Sequence, residues 1–94
     1  MNYFNIRFIN MVMTPIEDLI LYCYRTCPFC VKVEDFLAKN GLKLAIIYLD
    51  EDSESMEYLY NQTESAQAPC LKIGDQFMRE SDDIIAYLKQ HYLN

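Results

Sequence analysis

The amino-acid sequence predicts an α/β domain with a four-stranded mixed sheet and three helices. Two short apolar runs, Leu19 to Tyr24 and Leu44 to Leu49, are each followed by apolar residues at helical spacing, the alternation of a β-α-β frame. Gly74-Asp75 then separates two short segments in the manner of a tight hairpin. A last amphipathic stretch completes the order β-α-β-α-β-β-α.

The first strand, Leu19 to Tyr24, runs straight into the Cys27 region. Pro28 suits the first turn of a helix, where Phe29, Val33, Phe36 and Leu37 share one face and Lys32, Glu34, Asp35 and Lys39 lie elsewhere. Asn40-Gly41 ends that helix, glycine taking a left-handed cap at little cost. The second strand, Leu44 to Leu49, is apolar on both faces, as a central parallel strand tends to be. Asp50 to Asp52 form an acidic loop. Ser53 is the expected cap of a helix carrying Met56, Leu59 and Tyr60 and ending near Asn61. A polar stretch, Gln62 to Gln67, leads to Pro69. Cys70 to Ile73 and Gln76 to Arg79 form the hairpin. Ser81 is the expected cap of the last helix, with Asp82 and Asp83 at its positive end and Ile84, Ile85, Leu88 and Tyr92 on its inner face.

At 94 residues and 52% hydrophobic content the chain suffices for one core without metal or disulfide staples. The two apolar runs hold six residues each, against the ~20 that a membrane helix needs. Met1 to Thr14 include Arg7 but lack a long apolar core and a small-residue cleavage site, so no secretory signal is expected and the compartment is read as the cytoplasm. A net charge of -6 with no basic cluster opposes nucleic acid and anionic membranes as partners. Residues 1–17 are read as an N-terminal extension, with Met11 and Met13 as possible later starts, or as a short extra element on the sheet. Residues 18–94 form the domain, which is expected to act as a monomer.

The chemistry centres on Cys27-Pro28-Phe29-Cys30. The first cysteine lies between a strand and a helix, where unpaired amides and the helix dipole favour an anion, and a thiolate is the attacking species in disulfide exchange. Cys30, one turn on, is placed to attack a mixed disulfide at Cys27 and release the substrate as a thiol. A lone C-x-x-C is also half of a zinc site. A second ligand pair is then required, however, and Cys70 and His91 offer no ligand spacing, so no metal is expected. Cys23 extends the pattern to C-x3-C-x2-C, similar to the cluster signature of radical enzymes using S-adenosylmethionine. Those enzymes need a far longer barrel, and Cys23 sits inside a strand, so it is read as a small packing residue. Pro69, entering the third strand, lies opposite the redox helix, where a cis peptide turns the preceding backbone towards the sulfur.

These residues resemble the glutaredoxins from Asp18 to about Tyr92. Thr26-Cys27-Pro28-Phe29-Cys30 is close to the family's dithiol site, with phenylalanine at the usual tyrosine, and Gln67-Ala68-Pro69 lies where the family has Thr-Val-Pro. The resemblance implies a thioredoxin-like fold and a glutathione-dependent oxidoreductase, with glutathione as co-substrate. Cys27 and Cys30 are then catalytic, and Ala68 pairs with the cysteine portion of glutathione beside Phe29 and Pro69. Arg79-Glu80-Ser81-Asp82-Asp83 replaces the usual Gly-Gly-Cys-Asp-Asp, and Glu80-Ser81 is similar to the glutathione site of transferases. Ser81 is the implied ligand of the γ-glutamyl carboxylate, and Glu80 or Asp82 of its amino group. The lysine three residues before the first cysteine is Tyr24 here, leaving Arg25 as the nearest cation for the glycyl carboxylate. Cys70, directly after Pro69, has no counterpart in the common motif and is read as a buried strand residue.

The expected partners are glutathionylated and disulfide-containing proteins. A glutaredoxin-like reductant recharged by thioredoxin reductase is the nearest rival. A transferase-like first domain, or a module holding an iron-sulfur cluster between two copies through Cys27 and glutathione, stands further off. The first lacks its helical domain in 94 residues, and the second favours a glycine-containing monothiol motif.

Overall fold

The computed structural model describes residues 14–93. Four strands, β1 (Thr14–Cys23), β2 (Leu42–Tyr48), β3 (Cys70–Ile73) and β4 (Gln76–Arg79), form one mixed sheet in the order β2-β1-β3-β4. The helices are α1 (Pro28–Lys39), α2 (Ser53–Thr63) and α3 (Ser81–Tyr92), and a single 3-10 turn, Leu49–Glu51, precedes α2. β1 runs parallel to β2 and antiparallel to β3, and β3 is antiparallel to β4.

β1 lies inside the sheet and is covered on both sides. Leu19, Leu21 and Cys23 join the larger core with Cys30, Val33 and Leu37 of α1 and Ile84 and Leu88 of α3. Tyr22 points the other way, packing with Leu49, Leu59 and Cys70, and Ile20 and Tyr24 border that second cluster. Alternate residues of one strand thus feed two cores, which is why its sequence is apolar without interruption.

The strand begins earlier than its apolar run, because Thr14 to Ile16 pair with Leu42 to Leu44. The register shifts between Ile16 and Ile20, where Glu17 and Asp18 are exposed. This irregularity breaks the hydrophobic pattern without ending the strand. Residues 14–17, assigned by sequence to the extension, therefore belong to β1, while residues 1–13, including Met11 and Met13, lie outside the described residues.

β2 corrects another expectation. Rather than being central, it is the edge strand of the described sheet, with Lys43 and Ala45 exposed. Its two apolar faces arise from α1 on one side and the second cluster on the other, not from strands on both flanks.

Two caps also differ. Asp52, not Ser53, caps α2 by accepting from the Ser55 amide at 3.1 Å, and the helix continues to Thr63 before Glu64 turns it off with φ 62°. The cap position of α3 lies one residue before its best capping side chain. Glu80 occupies the cap position with φ 79°, and Ser81 is the first helical residue. The hairpin and the Asn40-Gly41 stop form as expected, with Gly74 at φ 61° in the turn and Gly41 at φ 65° after the helix.

Candidate functional site

The end of β1 and the start of α1 are joined by a tight turn in which the Cys27 amide donates to the Tyr24 carbonyl at 3.3 Å. Cys27 is the cap residue of α1, in extended backbone, and its carbonyl accepts from the Val31 amide at 3.0 Å. Pro28 follows at the first helical position, where its missing N–H costs nothing. No side chain caps this helix, so its first amides are left beside a half-buried sulfur.

Cys30 is fully buried one turn further on. Burial pushes its thiol up to about 11, opposed by the Tyr24 amide, which donates to the sulfur at 3.4 Å, and raised further by the neighbouring Cys27 thiol. Cys23, also fully buried, lies beside Cys30, and its thiol is pushed up by burial and by that neighbour. Cys70 belongs to the second cluster, and burial pushes it up to about 11, against a lowering by Arg79. The two members of the C-x-x-C pair thus differ in access, one half-exposed and one sealed.

Opposite Cys27 stands the loop before β3. The Ala68-Pro69 peptide is cis, and the Ala68 carbonyl lies 3.9 Å from the Cys27 sulfur. Tyr24 connects this loop to the turn, its hydroxyl donating to the Ala66 carbonyl at 2.6 Å.

A cavity of about 210 Å³ opens next to the pair, with Phe29 and Lys32 of α1 on one wall and Gln67, Ala68 and Pro69 on another. Arg79, Glu80, Ser81 and Asp82 close it at the start of α3. Six residues picked out by sequence for a ligand, Phe29, Ala68, Pro69, Glu80, Ser81 and Asp82, therefore line one space. Arg25 stands apart. Its guanidinium makes a two-pronged pair with Glu51 and lies 3.8 Å from the centre of the Tyr48 ring.

Sequence reasoning missed Lys32, which lines the cavity and donates to Asp82 across it at 2.5 Å. The available signal was its position three residues after Phe29, on the same side of the helix. Arg79, noted only as a departure from a motif, brings a second cation, so the walls carry two positive and two negative side chains. Ser81 is buried, and no side chain caps α3.

The glutaredoxin family model matches residues 19–78, from the first strand through the cysteine pair to the hairpin. The chain belongs to the glutaredoxin family. A probable glutaredoxin of Synechocystis is 30% identical over 67 residues, which is 70% of this chain and 76% of that protein. Among solved structures, a glutaredoxin of Archaeoglobus fulgidus superposes with a TM-score of 0.63 at 19% identity, covering 93% of this chain and 97% of that one. A buckwheat glutaredoxin-glutathione complex gives 0.63 at 20% identity, over 81% and 72% of the two chains. The fold is thus the thioredoxin-like fold of glutaredoxins, and the family makes the protein a thiol-disulfide oxidoreductase. Among the described residues no helix is long and apolar enough to cross a membrane, and no group of three or more His, Cys, Asp or Glu is placed to hold a metal ion.

Proposed function

We propose that this glutaredoxin is a glutathione-dependent dithiol oxidoreductase, acting through Cys27 and Cys30 on protein disulfides and glutathione mixed disulfides. The observation that carries the reading is the charge-balanced cavity beside a half-exposed cysteine with a buried partner. Glutathione is a peptide with carboxylates at both ends and one ammonium, and the cavity offers complementary groups. The uncapped start of α3 and the Ser81 hydroxyl suit the γ-glutamyl carboxylate, and Glu80, which has no ion pair among the described residues, suits its ammonium. Asp82 is a weaker candidate for the ammonium because Lys32 already holds it. Lys32 and Arg79 are better placed than Arg25 for the second carboxylate, since both line the cavity. Ala68 presents backbone to the cysteine portion, with Phe29 and Pro69 as apolar walls.

The Cys27 thiolate attacks one sulfur of the substrate disulfide, a new S–S bond forms at Cys27, and the other sulfur leaves as a thiolate that takes up a proton. Two routes then restore the enzyme. On the dithiol route, Cys30 loses its proton and attacks Cys27, expelling the bound thiol and leaving a Cys27–Cys30 disulfide. Two glutathione molecules reduce that disulfide and become glutathione disulfide. On the monothiol route, free glutathione attacks a glutathionylated Cys27 directly. The four free thiols fit a reducing compartment, and we assign the protein to the cytoplasm as a monomer.

The test is reduction of a glutathionylated peptide with either glutathione or thioredoxin and its reductase as the electron source. Turnover with glutathione, saturating in glutathionylated peptide, supports the reading. Turnover only with the reductase overturns it in favour of a reductant that ignores glutathione.

A further inference from the structure

Tyr24 joins the redox turn to the loop before Pro69 by a side-chain hydrogen bond. Its hydroxyl donates to the Ala66 carbonyl at 2.6 Å, with the Met56 sulfur 3.5 Å away. Its own amide donates to the Cys30 sulfur at 3.4 Å, and its carbonyl accepts from the Cys27 amide at 3.3 Å. One residue is therefore tied to both cysteines by its backbone and to the opposite loop by its side chain.

We propose that Tyr24 is a positioning residue for the resolving step: its hydroxyl, anchored on Ala66, holds its amide against the Cys30 sulfur as that sulfur becomes an anion. This rests on the dithiol reading above. Cys30 is fully buried, so the negative charge formed as it attacks Cys27 must be met by protein donors. A backbone amide is a fixed dipole and serves only while its peptide plane is held. Tyr24 lies just past the regular pairing of β1, which ends at Cys23, so one side of its amide plane is held by the strand and the other by the turn and the hydroxyl anchor. The other titratable groups around Cys30 are Cys27 at the head of α1 and Cys23 on β1, with Glu34 further along α1 acting on Cys23. The thiols add no positive charge, and Glu34 opposes an anion.

In chemical terms the step forms the Cys27–Cys30 bond and breaks the bond between Cys27 and the substrate sulfur. The Cys30 proton goes to solvent, and the electron pair leaves with the departing thiolate, which is then protonated. The oxidant is the mixed disulfide itself.

The experiment loads Cys27 with glutathione as a mixed disulfide, removes free thiols, and follows release of glutathione in a single turnover from pH 6 to 9. Parent, Tyr24→Phe, Tyr24→Leu and Cys30→Ser are compared, with thermal unfolding recorded for each. Release from the folded Tyr24 variants is expected to slow by about fivefold or more, its rising pH profile displaced to higher pH. The loading of Cys27, measured on the same samples, should slow by a smaller factor. A parent-like release rate and pH profile in a folded Tyr24→Phe overturn the proposal. So does loss of folding in both variants, which would make Tyr24 a structural residue. If the parent releases no more glutathione than Cys30→Ser, the dithiol reading itself fails, and that result is distinct from a failure of Tyr24.

Discussion

The three helices begin in two different ways. α2 caps itself, Asp52 accepting the Ser55 amide, and none of its residues lines the cavity. α1 and α3 have no side-chain cap, and both border the same cavity. An unpaired helix start costs stability, typically about 1 kcal/mol relative to a capped one. Two such ends converge on one space, where their free amides can serve a group other than a capping side chain. At α1 that group is the Cys27 sulfur, the proposed nucleophile. At α3, whose first turn carries Asp82 and Asp83, it is the proposed glutathione carboxylate.

The largest effect falls on the first of these ends. Cys27→Ser should reduce all thiol-disulfide exchange to below about 1% of parent, because a hydroxyl is not ionised near neutral pH and the sealed Cys30 cannot meet substrate. Residual exchange of a tenth or more would move the entry point elsewhere. The fold should survive, since the substitution is nearly isosteric and Cys27 is only half-buried.

Next in size is Cys30→Ser, which should remove reduction of protein disulfides but keep part of the activity on glutathionylated peptides, where free glutathione resolves Cys27. The parent carries a matching pH signature. Burial raises the Cys30 thiol to about 11, so its thiolate fraction grows about tenfold per pH unit below that value, and resolution without free thiol should accelerate from pH 6 to 9. The linked effect on stability has the opposite sign. A folded value above the unfolded 9.0 means stability lost as pH rises from about 9 through 11, and Cys30→Ser should flatten that loss in urea titrations.

Much of this contrast was legible in the sequence, for definite reasons. The strand–Cys27–Pro28 order gives a cap residue that is a cysteine rather than a good capping side chain, and Gly74-Asp75 admits little but a hairpin turn. The edge position of β2 was not legible, because an apolar run reports burial of two faces and not the number of flanking strands. Asp52 was missed as a cap because Ser53 is equally good on propensity, and Glu80 because Ser81 is the better capping residue, while one residue decides where helical angles begin. The long-range contacts of Tyr24 and Lys32 were out of reach for another cause. Their partners, Ala66 and Asp82, are 42 and 50 residues away in the chain, and no local pattern records such contacts.

The second uncapped end gives smaller effects. Ser81→Ala should raise the KM for glutathione several-fold, as loss of one hydrogen bond to a charged group does, with little change in kcat at saturation. Because Ser81 is the first helical residue and not the cap, the variant should lose less stability than the ~1 kcal/mol of a lost cap. The capped helix is the control. Asp52→Ala should lower stability by about 1 kcal/mol, roughly 4–8 °C in Tm for a domain of this size, and leave the KM for glutathione unchanged. A changed KM would break the distinction between the helix that caps itself and the two that do not.

The smallest expected effect isolates what Glu80 does. At φ 79° and ψ 116° it holds a backbone conformation that an L-residue adopts at a cost of about 1–2 kcal/mol and that glycine adopts freely. Glycine also adds freedom to the unfolded chain, worth about 0.4–1 kcal/mol against the variant. Glu80→Gly should therefore be stabilised by a fraction of a kcal/mol to about 1 kcal/mol, read as a small rise in Tm. Its carboxylate is gone, however, and the proposed partner of the glutathione ammonium goes with it, so the KM for glutathione should rise several-fold in the same protein. Stability and affinity moving in opposite directions would mean that the strain at this helix start is retained for the sake of the acid. A higher Tm with an unchanged KM would leave Glu80 as a backbone position only, with Ser81 and the α3 amides holding the ligand without it.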